Sequence, residues 1–184
     1  MNSGDQDNRA AVWLDHLAEG DPSALEKLYD EFATQLYAYA LGMISRPDAA
    51  EEAVQELFLM LVKRRGRLGH VHSARAYIFA MLRNAIWRRL RRKTSGELGV
   101  DPIVIFDRSA PCALPEGAIT DIEAALMNLP PKQKEVVMLK VYQNMTFPEI
   151  ARVTGVSTNT VNSQYRYALE RLRSLLPPDL LQDR

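Results

Sequence analysis

The side chains able to do chemistry gather in two places. In residues 146–173, TFPEIARVTGVSTNTVNSQYRYALERLR, the polar side of one helical stretch carries Thr158, Asn159, Asn162, Ser163, Arg166 and Tyr167. Amides, hydroxyls and a guanidinium fixed on one helical face can contact base edges and phosphates when the helix lies in a major groove. In residues 74–93, Tyr77, Arg83, Asn84, Trp87, Arg88, Arg91 and Arg92 mix cations with aromatic faces. That mixture suits single-stranded or partly opened nucleic acid, where bases stack on rings and guanidinium groups pair with phosphates. The plain alternatives are a helical hairpin with a solvated face and a basic helix end with Trp87 in the core.

The first set needs two short helices crossing steeply, and residues 146–173 supply the local signals for them. Thr146 and Glu149 form a capping box, and Pro148 falls in the first turn, where a missing N–H costs little. Ala151 is small where the second helix must cross, Gly155 can take the positive φ that ends the first helix, and Ser157 can cap the second. Val161, Tyr165, Ala168 and Leu172 recur at helical spacing and should face the core. This is the sequence form of a helix-turn-helix, with its turn at 154–156.

The chain has 184 residues, 47% apolar content and a formal net charge of zero, enough for one or two ordinary cores. The zero hides a strong segregation. Residues 1–56 hold twelve Asp or Glu against three Lys or Arg, and residues 57–96 hold eleven Lys or Arg and no acid. A basic block of this size fits a polyanion, while an acidic block can meet a basic partner or keep the chain off random DNA. No apolar run is long enough to span a bilayer and residues 1–7 are polar, so a cytoplasmic protein without membrane insertion is expected. Cys112 is the only cysteine, which excludes an intrachain disulfide, and His70 with His72 lack further ligands, so no metal or cofactor is expected. No nucleophile–base pair or phosphate loop argues for an enzyme.

In chain order, 1–8 is expected to be a disordered N-terminus and 9–93 a helical domain. It would hold a short helix over 9–19, then a helix capped by Asp21 with Leu25, Leu28, Phe32, Leu36 and Met43 as its buried stripe. A third helix over 48–64 has an acidic first turn and more apolar residues than one stripe can hold. Leu59, Met60 and Val62 cannot all share the face of Leu57 and Leu61, which leaves apolar surface for a partner. A basic loop over 65–72 leads to a fourth helix, capped by Ser73, with Ile78, Met81, Leu82 and Ala85 inward. Residues 94–119, rich in Gly and Pro, read as a linker; 120–176 as a second helical domain; and 177–184 as a tail. The fold class expected is all-α, two small helical domains joined by a flexible linker, the second a helix-turn-helix.

The stretches AEEAVQELF (50–58), ARAYIFAMLRNAIWRRLRRK (74–93) and LPPKQKEVVML followed by EIARVTGVSTNTV resemble regions 2 and 4 of bacterial sigma factors. The two blocks stand in the order and at the distance of the small extracytoplasmic-function (ECF) type. The resemblance implies that Glu52, Gln55, Glu56, Phe58 and Leu61 bind the clamp helices of core RNA polymerase. It implies that Arg83, Asn84, Trp87, Arg88, Arg91 and Arg92 open and read the minus-ten element of promoter DNA, with 65–72 as the pocket for a flipped base. The helix from Ser157 would read the minus-thirty-five element, the linker would thread toward the RNA exit channel, and family habit adds an anti-sigma factor as a partner. Asn162 and Gln164 stand where many relatives are basic and Arg88 where many are acidic, departures that bear on which promoter is read.

Two rival classes make different demands. A stand-alone helix-turn-helix regulator would bind duplex DNA without polymerase and would normally dimerise, yet no heptads are visible. A protein whose basic helix meets RNA or an anionic membrane would bind any polyanion without promoter preference.

Overall fold

The computed structural model describes residues 3–69, 71, 73–94 and 116–177. Among the described residues every long element is an α-helix: α1 Ser3–Glu19, α2 Ser23–Ile44, α3 Pro47–Lys63, α4 Ala74–Thr94, α5 Glu116–Met127, α6 Pro131–Val137, α7 Phe147–Thr154 and α8 Thr158–Leu175. The all-α expectation holds. The apolar run at 100–106, Cys112, His70 and His72 lie outside the described residues.

Local chemistry sets the first boundaries. Gly20 takes a φ of +97° and turns the chain out of α1. Asp21 then accepts the backbone N–H of Ser23 at 2.9 Å and its hydroxyl at 2.9 Å, so it caps α2 as expected although Pro22 stands between. Ser45, at φ +62°, closes α2 by donating its N–H to the Leu41 carbonyl. Four helices then bury one stripe each. Leu14, Leu28, Phe32, Leu36, Tyr39, Leu57, Leu61, Ile78, Phe79, Leu82 and Ile86 are all sealed from solvent. Leu25 is only partly buried at the edge of this cluster.

Two boundaries differ from the sequence expectation. Residues 3–8, expected to be disordered, continue α1, because Gln6 is buried and donates to Glu31 and Asp7 reaches the start of α4. Helix α5 begins at Glu116, several residues before the expected 120. Ser73 precedes α4 as expected, but it is Asp7 of α1 that accepts the N–H of Arg75 at 2.8 Å.

In the C-terminal half, α6 runs into a π-helical turn over Met138–Tyr142, and Asn144, at φ +50°, redirects the chain into α7. The capping box forms: Thr146 N–H donates to Glu149 at 2.7 Å and Glu149 N–H to the Thr146 hydroxyl at 3.4 Å. Gly155 sits at φ +72° and closes α7 on the Ala151 carbonyl at 2.9 Å. Ser157 accepts the Thr160 N–H at 3.1 Å and opens α8. Val161 and Ala168 are fully buried, with Tyr165 and Leu172 packed beside them. The helix-turn-helix is therefore formed as its sequence signals require.

The two halves touch. Val136, Met138, Leu139, Met145, Ile150, Val153 and Val161 belong to the same apolar cluster as the cores of α2 and α4. Gly42, inside α2, lets Met138 come so close that a Cβ built on the glycine would lie 2.2 Å from its terminal methyl.

Candidate nucleic-acid and partner interface

Helix α8 presents its polar face to solvent. Asn159, Asn162, Arg166 and Tyr167 are exposed, and Thr158 and Ser163 partly so. The Arg166 guanidinium lies 5.2 Å from the centre of the Tyr167 ring and 3.9 Å from Glu170, with both ion-pair partners open to water. Contacts this exposed are worth little and exchange readily for a phosphate or base edge. All six side chains singled out in the sequence share this accessible face.

On α4 the arrangement is different. Arg83 donates through Nε to Glu135 of α6 at 2.8 Å, Trp87 donates through Nε1 to the same carboxylate at 2.8 Å, and Tyr39 donates its hydroxyl at 3.1 Å. Burial first, and the Glu135 charge second, push the Tyr39 phenol well above its usual range. The Arg83 guanidinium also sits 5.7 Å from the Trp87 ring centre, the cation–aromatic pairing the sequence suggested. Asn84 is exposed. Arg88 pairs with Glu56 at 2.7 Å, Arg91 is exposed, and the Arg92 side chain lies outside the described residues.

The acidic and basic blocks, separate in sequence, are neighbours in space. Arg89 of α4 bridges Glu52 at 3.0 Å and Glu56 at 3.1 Å on α3. The two acids singled out for a partner thus already hold arginines across the α3–α4 seam. Gln55 is exposed, but Leu61 is fully buried and Phe58 nearly so, its ring centre 5.1 Å from that of Tyr29 with the planes tilted by 50°. Leu61 therefore faces the core and cannot touch a partner. The accessible apolar groups here are Leu59, 61% exposed, Val62 and Tyr29. Leu59 and Val62 belong to the surplus apolar surface that the crowded third helix implied, and Tyr29 of α2 lies beside Phe58.

Beside α4, the basic loop and the helix-turn-helix line a cleft of about 720 Å³, with Arg67, Val71, Ser73 and Tyr77 on one side and Arg152 of α7 on the other. Arg75, buried at the same seam, donates to the Gln143 carbonyl and lies 3.8 Å from Glu149.

A family model described as Sigma-70 region 2 matches residues 28–96, and one described as Sigma-70, region 4 matches residues 119–172. The ECF RNA polymerase sigma factor SigL of Mycobacterium tuberculosis is 30% identical over 166 residues, covering 86% of this chain and 92% of its own. The chain belongs to the ECF sigma factors. It is accordingly a protein that directs promoter-specific transcription with RNA polymerase, in a family whose members are not enzymes. Similarity extends to the ECF sigma factor BldN of Streptomyces coelicolor, 27% identical over 96% of this chain and 70% of that one. Among solved structures, CnrH in complex with the cytosolic domain of CnrY superposes with a TM-score of 0.70 at 20% identity, over 91% of this chain and 96% of that one. The sigma factor RpoE in complex with the anti-sigma factor NepR, from Bartonella quintana, gives 0.67 at 22% identity over 86% and 99%. At these identities the likeness speaks for the fold.

In this sigma factor, region 2 spans α2 to α4 and region 4 spans α5 to α8. Sequence reasoning missed Glu135, the carboxylate on which Arg83 and Trp87 converge, and Arg89, which ties the acidic helix to the basic one. The charge of LPPKQKE was visible, but nothing local said which cations it would meet.

Proposed function

We propose that this sigma factor divides its work among three helices. Helix α8 reads the minus-thirty-five element in the major groove through Thr158, Asn159, Asn162, Ser163, Arg166 and Tyr167. Helix α4 engages the minus-ten element through Arg83, Asn84, Trp87, Arg88, Arg91 and Arg92, with the cleft beside Arg67 and Tyr77 receiving a base drawn out of the stack. Helix α3 docks on core RNA polymerase through Glu52, Gln55, Glu56 and the apolar ridge that Phe58 supports. The observation that carries this reading is the exposed polar face of α8, delivered by a helix-turn-helix whose caps and turn are all in place.

The chain makes and breaks no bonds in this scheme; the polymerase does the chemistry, and the protein works in the cytoplasm. No helix among the described residues is long and apolar enough to cross a membrane. Two solved relatives are held by the cytosolic domain of CnrY and by the anti-sigma factor NepR, and an anti-sigma factor is part of this proposal as a regulator.

The docking assignment is tested by mixing the chain with core polymerase and measuring complex formation for Leu59→Glu beside the parent. Loss of binding by a variant with an unchanged melting temperature supports α3 as the docking helix. Unchanged binding places the contact elsewhere.

A further inference from the structure

Met127, the last residue of α5, is the most exposed methionine among the described residues, at 40%. Met43, Met81, Met138 and Met145 are buried, and Met60 is partly so. The Met127 sulfur also receives two donors. The Ser45 hydroxyl, just after α2, donates to it at 3.1 Å, and the Lys134 ammonium of α6 at 3.3 Å. A thioether is a weak acceptor, so both donors are aimed at a group that satisfies neither well. Lys134 has the more to gain, because it is only 7% exposed and no acid among the described residues pairs with it. We propose that Met127 is a site of reversible oxidation by peroxide, its thioether becoming a sulfoxide whose oxygen the Lys134 ammonium and the Ser45 hydroxyl are placed to bind.

The step balances with hydrogen peroxide as the oxidant. The sulfur lone pair attacks one peroxide oxygen, the O–O bond breaks, and the proton of the attacked oxygen goes to the departing hydroxide, leaving sulfoxide and water. Dedicated reductases return a methionine sulfoxide to the thioether, so the change can be undone. In a core, this oxidation is disruptive, because it puts a polar group where nothing can bond it. At Met127 the sign reverses. The side chain is open to the oxidant, its new oxygen is a strong acceptor, and a hydrogen bond from a charged donor is about twice as strong as a neutral one. Burial lowers the Lys134 pKa to about 8, and a sulfoxide oxygen beside the ammonium favours the charged form and brings the value back up. Oxidation therefore fastens the end of α5 to Lys134 and Ser45 and stabilises the fold, whether or not polymerase or DNA is bound.

The test uses the full-length chain in a Cys112→Ser background, so that no thiol consumes the oxidant. Hydrogen peroxide is added in steps, the oxidised residues are located by tandem mass spectrometry of tryptic peptides, and thermal melts are recorded at about pH 7 and about pH 9.5. Sulfoxide should form at Met127 before Met43, Met60, Met81, Met138 or Met145. The melting temperature near neutral pH should rise by about 2–4 °C, the shift that one good hydrogen bond gives a chain of this size. The rise should shrink at the higher pH, where the unoxidised folded chain has already released the Lys134 proton and with it the cost of burying the charge. Met127→Gln, which supplies an amide oxygen, should melt above the parent without any oxidant, whereas Met127→Leu and Lys134→Leu should gain nothing on oxidation. Oxidation that reaches Met60 first, a lower melting temperature for the chain oxidised at Met127 alone, or a rise that survives Lys134→Leu would overturn the proposal.

Discussion

The carboxylate of Asp7 accepts the backbone N–H of Arg75 at 2.8 Å, so a residue of the first helix caps the fourth. Free N–H groups at a helix start need an acceptor, and Asp7 adds a negative charge at the positive end of the α4 dipole. Asp7→Ala should therefore lower stability by about 1 kcal/mol, within the range of cap removals. Urea denaturation of parent and variant measures it. An unchanged midpoint would mean that water caps α4 equally well.

Leu59 and Leu61 separate docking from folding. Leu61 is fully buried, and Leu61→Ala should cost about 2–5 kcal/mol as a core truncation. Leu59 is 61% exposed, and Leu59→Glu should change stability by no more than about 0.5 kcal/mol. Thermal melts of the two variants, run together, check the contrast.

Arg166 is exposed on the α8 face, and a bidentate contact to a guanine edge is within its chemistry. Arg166→Ala should weaken binding to the cognate element by about 1–3 kcal/mol and binding to random duplex by much less. Equal losses on both DNAs would make Arg166 a phosphate contact.

Lys134 gives a pH signature. Burial lowers its pKa from 10.5 to about 8, and the nearest partner for its ammonium is the Met127 thioether at 3.3 Å. Below about pH 8 the folded chain carries a buried charge at a cost. Between about pH 8 and 10.5 the unfolded chain keeps the proton and the folded chain has lost it, so this residue makes stability rise with pH. Lys134→Met should accordingly stabilise at neutral pH, by about 3 kcal/mol at most, with the gain shrinking above pH 8. A gain that is constant from pH 7 to pH 10 would show that the lysine titrates normally.

What was legible in the sequence is what is local. Thr146 with Glu149, Gly155 and Ser157 act within one turn of themselves, and each forms the contact its type and spacing require. The long apolar stripes of α2 and α4 were equally plain. Contacts that depend on how helices are placed were not. Asp7 lies 68 residues from the N–H it accepts, and Glu135 lies 52 residues from Arg83 and 96 from Tyr39. The phase of α3 was readable only in part: a helix apolar on more than one side does not say which of Phe58, Leu59 and Leu61 is left outside. Gly42 carried no sequence signal, because its reason is a methionine in the other half of the chain.

The division of labour among α3, α4 and α8 is tested most directly by reconstituted transcription. Core polymerase, this chain and fragmented genomic DNA are combined, and the 5′ ends of the RNA are mapped for parent, Arg166→Ala and Leu59→Glu. The account predicts discrete starts preceded by two shared sequence elements, a changed set of starts for Arg166→Ala, and none for Leu59→Glu. Starts that are identical for all three proteins would contradict it.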